Sequence, residues 1–593
     1  MFQHDIPLAP LTTFRIPASA RLFATYSSVD ELRTISFTPE FLENPVFHLG
    51  GGSNVLFRGD FDGLVLRSRI MGIKRYDKDD DTSFLIAGAG EEWTSLVDYA
   101  VGQGLAGLEN LAAIPGTVGA APVQNIGAYG AEVADVIHNV ECFDCLTHNT
   151  VTLSNAECRF GYRDSIFKNE GKGRYVITRV SFRLKRSSEA RSLHYGPLKH
   201  FAESIGHAPS IAEVAAEVTR IRNAKLPDPR EIGSAGSYFK NPVVRIYFFR
   251  EVMSTLCPDI PYYPTGDPNY VKIPAGWLIE HAGLKGFSVG GAEVYPRQCL
   301  VIANRGGATA EDVLAVQNHV VDTVLSTFGV TLRPEVNLVD TSVRLTFLGT
   351  GTSKGIPEIG CMCPVCRSKD PADNRLRCSA LVETQGVRLL IDVSPDFRFQ
   401  ALRENITYLD AALITHNHYD HVGGFDDLRP FCALGKFPVF LRPDVNADLH
   451  RRIDYCFRDH LYPGVPSFDM HEIGDTPFLF KGVKIIPITV MHGQMPIVGF
   501  RIGSLAYVTD AKTIPDEEKE KLRDLDILVL NALRYKDHFA HLTVDEALAL
   551  IEELKPRRAY LTHFCHEVGC HADLARRLLP NVFPAHDSLT IST

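Results

Sequence analysis

The sequence predicts a multidomain chain of two modules in tandem: an α+β unit built around glycine-rich turns, then a unit whose short strands end on metal-type side chains. Three observations carry this. The chain has 593 residues, more than one hydrophobic core holds together. Two glycine clusters, "HLGGGSNVLF" at 48–57 and "IPGTVGAAPVQNIGAYG" at 114–130, punctuate the first half. In the second half, "LITHNHYDHVGG" at 413–424 groups His416, His418, Asp420 and His421 on one turn after an apolar strand.

Composition bounds the classes. A hydrophobic fraction of 45% and a charged fraction of 22% describe an ordinary globular chain. The net charge of -10 argues against a non-specific nucleic-acid binder, which needs a basic surface. The 13 cysteines, an odd and scattered set, suit reduced thiols or metal ligands better than a disulfide framework. "MFQHDIPLAPLTTFRIPASA" has no basic region followed by an apolar run, and no stretch reaches the length of a membrane span. A soluble cytoplasmic protein with no membrane or nucleic-acid partner is expected.

Taken in order, "EEWTSLVDYAVGQG" and "IAEVAAEVTRIRNAK" space apolar residues by three and four, which predicts helices over 91–104 and 211–225. After residue 340 the pattern restarts with strands "RLTFLG", "VRLLIDV", "AALITH", "VKIIPITV" and "LAYVTD", and one late amphipathic helix, "TVDEALALIEELK". Ligand-type residues follow several of these strands, where α/β folds keep their sites.

Glycine turns let backbone N–H groups approach phosphate oxygens, although most such turns are only tight corners. Neither cluster is the G-x-G-x-x-G dinucleotide fingerprint, which excludes a Rossmann reading. "ECRFGYRDSIFK" then concentrates Tyr162, Arg163, Asp164 and Ser165. "KLPDPREIGSAGSYFKNP" sets Lys225, Ser237, Lys240 and Asn241 around a glycine loop. Glu335, within the apolar "LRPEVNLV", has a plain structural reading as a salt-bridge partner.

These motifs, with "GLAGLENLAAIPGTVGAAPVQNIGAYG", "PAGWLIEHAGLKG" and "RPEV", make residues 1–340 resemble UDP-N-acetylenolpyruvoylglucosamine reductase, also called UDP-N-acetylmuramate dehydrogenase, of peptidoglycan precursor synthesis. "LHYGPL" resembles the subtype with a tyrosine loop over the substrate. The resemblance implies a vanillyl-alcohol-oxidase-like FAD region over 1–204, a substrate-binding domain over 205–325, and a return segment, 326–340, carrying Glu335. It implies FAD as cofactor and NADPH and a UDP-sugar enolpyruvate as substrates. FAD contacts fall on Gly50, Gly51, Gly52, Ser53, Asn54, Gly116, Thr117, Gly119, Gln124, Asn125, Gly127, Ala128 and Tyr129. Ser237 is implied as the proton donor, Arg163 and Glu335 as stabilisers of enolate charge, and Tyr195, Lys225 and Asn241 as substrate contacts. The chain reads Thr12-Thr13-Phe14 where Asn-Thr-Phe is common, and Asn337 where some members carry arginine.

In the second half, imidazole and carboxylate are ligands that divalent metals accept, and the His-x-His-x-Asp-His spacing is a specific signal. His492, Asp510 and His563 each end an apolar run. "GCMCPVCR" sets Cys361, Cys363 and Cys366 within six positions, a soft-metal set that lacks a fourth ligand. His566 is the expected fourth, with Cys565, Cys570 and His571 as competitors.

The ligand order resembles the metallo-β-lactamase fold, an αβ/βα sandwich, over 341–593. "FLGTGTSKGIPEIGCMCPVC" resembles its phosphoribosyl cyclic phosphodiesterase subfamily. The resemblance implies His416, His418 and His492 on one metal, Asp420, His421 and His563 on a second, and Asp510 between them. Two divalent metals, manganese or zinc, and one structural zinc are expected. His541 matches a position that assists as general acid or binds phosphate, and a phosphodiester is the expected substrate. Alternatives are another metallo-hydrolase (ribonuclease, thioesterase or lactonase) or a non-catalytic scaffold. The boundary "PEVNLVDTSVRLTFLGTG" contains no linker, and the chain reads as two enzymes joined directly.

Overall fold

Two units meet between Thr341 and Ser342. The computed structural model describes every residue except 1, 43, 188, 191–192, 194–195, 433–434 and 459–463.

In the first unit, Gln3–Pro7, Ser19–Tyr26, Phe61–Ser68 and Val46–His48 form one sheet in that order, with Ser19–Tyr26 and Val46–His48 both parallel to Phe61–Ser68. Antiparallel strands form a larger sheet in the order Asn149–Ser154, Ile137–Asp144, Tyr175–Arg186, Thr82–Gly88 and Ile73–Asp77. Helix Trp93–Gly102 packs Trp93, Leu96, Val97 and Ala100 into the core of that sheet, with Phe182 edge-on to Trp93.

Helix Ile211–Lys225 starts at a capping box. Ser210 Oγ accepts the Glu213 N–H at 3.2 Å and the Glu213 carboxylate accepts the Ser210 N–H at 2.8 Å. Its buried residues Ile211, Val214, Val218 and Ile221 recur at three and four, the stripe the sequence predicts. A further sheet orders Gly233–Ser234, Ile302–Asn304, Ala292–Val294 and Ser288–Val289, against helix Ala310–Phe328, which buries Val313, Val316, Val320 and Val324. The chain then returns: Asn337–Val339 pairs in parallel with Val55–Phe57, setting Asn337 opposite Val55.

The second unit is two seven-stranded sheets. One orders Phe468–Glu472, Phe437–Leu441, Ala411–Leu413, Val387–Ile391, Ser379–Thr384, Arg344–Gly349 and Thr590–Ser592; the other runs Phe478–Phe480, Val483–His492, Met495–Ile502, Leu505–Val508, Ile527–Asn531, Arg558–Thr562 and Val582–Pro584. Inward residues of both sheets, Leu345, Phe347, Leu389 and Leu413 with Ile485, Phe500, Tyr507 and Val529, make one core. Alternate residues face outward: Leu348 and Leu390 pack with Phe397 and Leu449, and Leu528 and Leu530 with Ile551 and Leu554. This is the αβ/βα sandwich of the metallo-β-lactamase fold.

Strands here stop where side chains replace the ladder. The Thr415 N–H donates to Asp392 Oδ1 at 2.8 Å, which ends Ala411–Leu413 before His416. Asn531 does the same beyond Leu505–Val508, accepting the Ala511 N–H at 2.8 Å and donating to Ala511 O at 3.0 Å. No helix among the described residues is long and apolar enough to cross a membrane.

Candidate active sites

In the first unit the two glycine loops touch backbone to backbone. A Cβ on Gly51 would lie 2.6 Å from Gly116 Cα, and one on Gly50 would lie 3.0 Å from Thr117 Oγ1. Gly119 is equally closed, its Cβ falling 2.6 Å from that of Ala89. Ser53 Oγ donates to Pro115 O at 2.9 Å, and Asn54 bonds Gln124 across the loops. Among the described residues no acceptor takes the backbone N–H groups of Gly50, Gly51, Gly52, Ser53 or Asn54. A run of free N–H groups in a cradle that admits no side chain fits the phosphates of a dinucleotide such as FAD.

Asn125 locks the second loop. Its Nδ2 donates to Gly161 O at 2.9 Å and its Oδ1 accepts the Ala134 N–H at 3.0 Å. Arg163, at φ +54°, donates to Gly127 O at 2.6 Å and pairs with Glu335 at 3.1 Å, with both side chains largely buried (19% and 11% exposed). A left-handed backbone at a non-glycine residue is retained where the surroundings over-determine it.

Glu335 is fixed in turn by its N–H bond to Tyr238 O at 2.7 Å, and Phe239 bridges Pro334 alongside. Buried Tyr238 and Phe239 therefore anchor the loop that exposes Ser237. Ser237 lines a cavity of about 230 Å³ with Gly127, Ala128, Tyr129, Lys225, Arg222 and Gln298. Asn241 Oδ1 instead accepts the Ala275 N–H at 2.9 Å. Burial raises the Tyr162 phenol, which Asn241 hydrogen-bonds, and the Lys272 ammonium sits 4.2 Å over its ring. Tyr195 lies outside the described residues. Sequence reasoning passed over Arg222 and Gln298, which carry no local motif.

In the second unit Asp510 sits at the centre. Its Oδ1 lies 3.4 Å from His421 Nε2; its Oδ2 lies 3.3 Å from His563 Nε2, 3.7 Å from His541 Nδ1 and 3.9 Å from His416 Nε2. The rings of His416, His418 and His492 cluster on one side, with centroids 4.7, 5.0 and 5.6 Å apart. Ligand atoms of Asp420, His421 and His563 fall within 4.8 Å of one another, as do those of His492, Asp510 and His541.

The outer nitrogens fix the tautomers. Asp392 Oδ2 accepts from His421 Nδ1 at 2.6 Å, and Asp510 O from His492 Nδ1 at 2.8 Å, which leaves each Nε2 lone pair facing inward. Asp392 is fully buried, and a carboxylate closing the apolar strand "VRLLIDV" is the sequence signal for it.

Inside this ring, His416 Nε2, His421 Nε2, His563 Nε2 and His541 Nδ1 are buried without a hydrogen-bond partner. Burial disfavours charge on His421, yet the Asp510, Asp420 and Asp392 carboxylates outweigh it and favour positive charge at this point, which a bound cation would supply in place of a proton on Nε2. Burial lowers His541 to about 3. Orphaned lone pairs converging on buried carboxylates make a donor set suited to divalent cations.

Cys361, Cys363 and Cys366 lie with Sγ atoms 3.2, 3.6 and 3.4 Å from His566 Nδ1. Tetrahedral zinc with ordinary bond lengths sets sulfur–nitrogen edges of about 3.5 Å. The Cys366 N–H bond lowers the Cys363 thiol to about 7, toward the thiolate a metal takes. The competitors stand apart from this group: His571 Nδ1 accepts from Arg375 Nη2 at 3.1 Å, and neither Cys565 nor Cys570 joins the three thiols. Arg375, fully enclosed, also donates to Thr350 Oγ1 at 2.9 Å and stacks on Phe564, beside His563.

The fold and these sites define a flavin-binding reductase fused to a metallo-β-lactamase-fold hydrolase. Residues 20–152 match the FAD binding domain family, 228–339 the UDP-N-acetylenolpyruvoylglucosamine reductase C-terminal domain, and 387–564 the beta-lactamase superfamily domain. The UDP-N-acetylenolpyruvoylglucosamine reductase of Neisseria gonorrhoeae is 49% identical over 343 residues, covering 57% of this chain and 97% of that protein. The chain belongs, through its first unit, to the UDP-N-acetylenolpyruvoylglucosamine reductase family. The crystal structure of that reductase from Thermus caldophilus is similar over 57% of this chain and 99% of its own, at 27% identity and TM-score 0.40. That of a diphosphatase from the PhnP family covers 42% and 97%, at 41% identity and TM-score 0.40.

Proposed function

We propose that the chain is a bifunctional cytoplasmic enzyme. Its first unit reduces UDP-N-acetylglucosamine enolpyruvate to UDP-N-acetylmuramate with NADPH and FAD; its second is a dinuclear-metal phosphodiesterase. The division assigned is 1–204 to FAD, 205–325 to substrate, 326–340 to the return of Glu335, and 341–593 to the hydrolase. Small molecules are the partners of both sites.

For the reductase, the observation that carries the reading is the Arg163–Glu335 pair beside Ser237's cavity. Bound FAD supplies the hydride relay from NADPH to the enolpyruvyl carbon. Arg163, oriented by Gly127 O and Glu335, holds the substrate carboxylate and stabilises charge as the double bond opens. Ser237, set at the cavity wall by buried Tyr238 and Phe239, gives its proton to the neighbouring carbon. Lys225 and Asn241, with Tyr195, hold the nucleotide sugar, and the glycine loops hold the flavin.

For the hydrolase, the carrying observation is the closed ring of donors around Asp510. His416, His418 and His492 would hold one metal, Asp420, His421 and His563 the other, with Asp510 shared. A metal pair supplies polarisation of the phosphoryl group and a lowered pKa for water. His541, held neutral by burial, would donate a hydrogen bond to the phosphoryl oxygens. The three thiols and His566 would hold a structural zinc that braces the loop after His563.

The two readings are tested separately. S237A should leave flavin reduction by NADPH intact and slow reoxidation by the enolpyruvyl sugar; equal loss of both removes the proton-donor role. D420A should abolish hydrolysis of bis-p-nitrophenyl phosphate, and unchanged turnover excludes the metal centre.

A further inference from the structure

Asp510 leaves its strand in a left-handed conformation, φ +58°, which a non-glycine residue keeps only where its surroundings over-determine it. From that turn its two carboxylate oxygens reach different imidazoles, Oδ1 towards His421 and Oδ2 towards His563. The neighbouring strand Ile527–Asn531 ends on a fully buried amide that holds the next residue by both its polar groups. Asn531 Oδ1 accepts the Ala511 N–H at 2.8 Å, and Nδ2 donates to Ala511 O at 3.0 Å. Ala511 presents one donor and one acceptor, and an amide side chain answers both. Ending a strand would need only one of these bonds.

The clamp reaches the other donors as well. Ala511 O also accepts the Leu542 N–H at 2.8 Å, one residue past His541. The Lys512 N–H donates to Met491 O at 2.7 Å, beside His492, whose Nδ1 bonds Asp510 O at 2.8 Å. On its other side Asn531 pairs in parallel with Thr562, one residue before His563, and the Ala532 N–H donates to Thr562 O at 2.9 Å. His492, Asp510, His541 and His563, on separate segments, are thus registered through Ala511 and Asn531. Water has no access to replace a bond lost here, so removing the amide leaves the turn of Asp510 free to relax.

We propose that Asn531 is a positioning residue of the hydrolase centre, whose amide sets the Asp510 turn so that one carboxylate serves both metals. This rests on the dinuclear-metal reading. N531D is the discriminating change: a carboxylate of the same shape still accepts the Ala511 N–H but meets Ala511 O with like charge. The probe is Mn2+, which suits carboxylate rather than thiolate ligands and so reports this centre and not the three cysteines. Full-length protein, its centre emptied by chelator, is titrated with Mn2+, and affinity and the electron paramagnetic resonance spectrum are recorded. Two manganese ions that share a carboxylate couple magnetically; ions held apart give the signal of the lone ion.

The parent should take up a pair of ions and give the coupled spectrum. N531D should bind the second ion about 10–100-fold more weakly and give the uncoupled signal. L530V, a core change in the same strand, should lower thermal stability and leave both readouts at parental values. N531D with parental affinity and coupling, whatever its stability, overturns the inference and leaves Asn531 a strand terminator. Should N531D not fold, N531S, uncharged and too short to span both groups of Ala511, decides by the same two readouts. A parent that binds no pair of ions fails the dinuclear reading itself, and the inference with it.

Discussion

Arg163 Nε and Glu335 Oε1 stand 3.1 Å apart, one on a left-handed turn beside the glycine cradle, the other on the segment that returns to pair with Val55–Phe57. The pair ties the proposed reductase site to the end of the first unit's own sequence. It also explains why the first unit is finished only at residue 341. E335Q keeps the shape and removes the charge. It should lower kcat for enolpyruvyl reduction about 10²–10³-fold while NADPH still reduces the flavin. Loss confined to KM would make Glu335 a binding residue only.

Lys168 ends the same "ECRFGYRDSIFK" segment. Burial, with Lys240 adding its like charge, lowers its ammonium from 10.5 to about 8. Between these values the unfolded chain binds more protons than the folded one, so stability rises with pH from about 8 to about 10.5. Below about pH 8 both states are charged and the full cost is present. Relative to K168M, the parent should gain roughly 2–3 kcal/mol across that window. The urea midpoint of flavin release reports it, and a pH-independent difference between the two proteins would contradict it.

Asp392 positions His421 through the 2.6 Å bond to Nδ1 and has no route to a substrate. D392N would leave the Thr415 contacts and lose the carboxylate. Metal affinity should fall about 10–100-fold, read as metal content after dialysis against graded chelator. Unchanged affinity would reduce Asp392 to a strand terminator.

Most of the local code was legible. The stripe 211–225 appears as Ile211–Lys225, and "TVDEALALIEELK" as Val544–Leu554 behind a Thr543–Glu546 capping box. Strand ends were less so, because tertiary side chains end them. "AALITH" stops at Leu413 since Asp392 takes the Thr415 N–H, and "VKIIPITV" runs on to His492 because Met495–Ile502 pairs with it to the last residue.

Site residues with a motif, such as His416–His421, were visible, and His566 is the residue of its loop that lies beside the three thiols. Arg222 and Gln298 were not visible, because nothing in a helix's last turn or a tight turn states which cavity it will line. Asp392 and Arg375 owe their roles to burial against distant chain segments, which no local pattern encodes.

The central claim is that one chain carries two complete and separate centres. Full-length protein, treated with a strong chelator and then resupplied with manganese or zinc, is assayed in parallel for p-nitrophenolate release from bis-p-nitrophenyl phosphate and for NADPH-driven enolpyruvyl reduction. Hydrolysis should vanish with the metals and return with them while the reductase rate stays constant. Hydrolysis that survives metal removal, or never occurs with metal bound, would contradict the account.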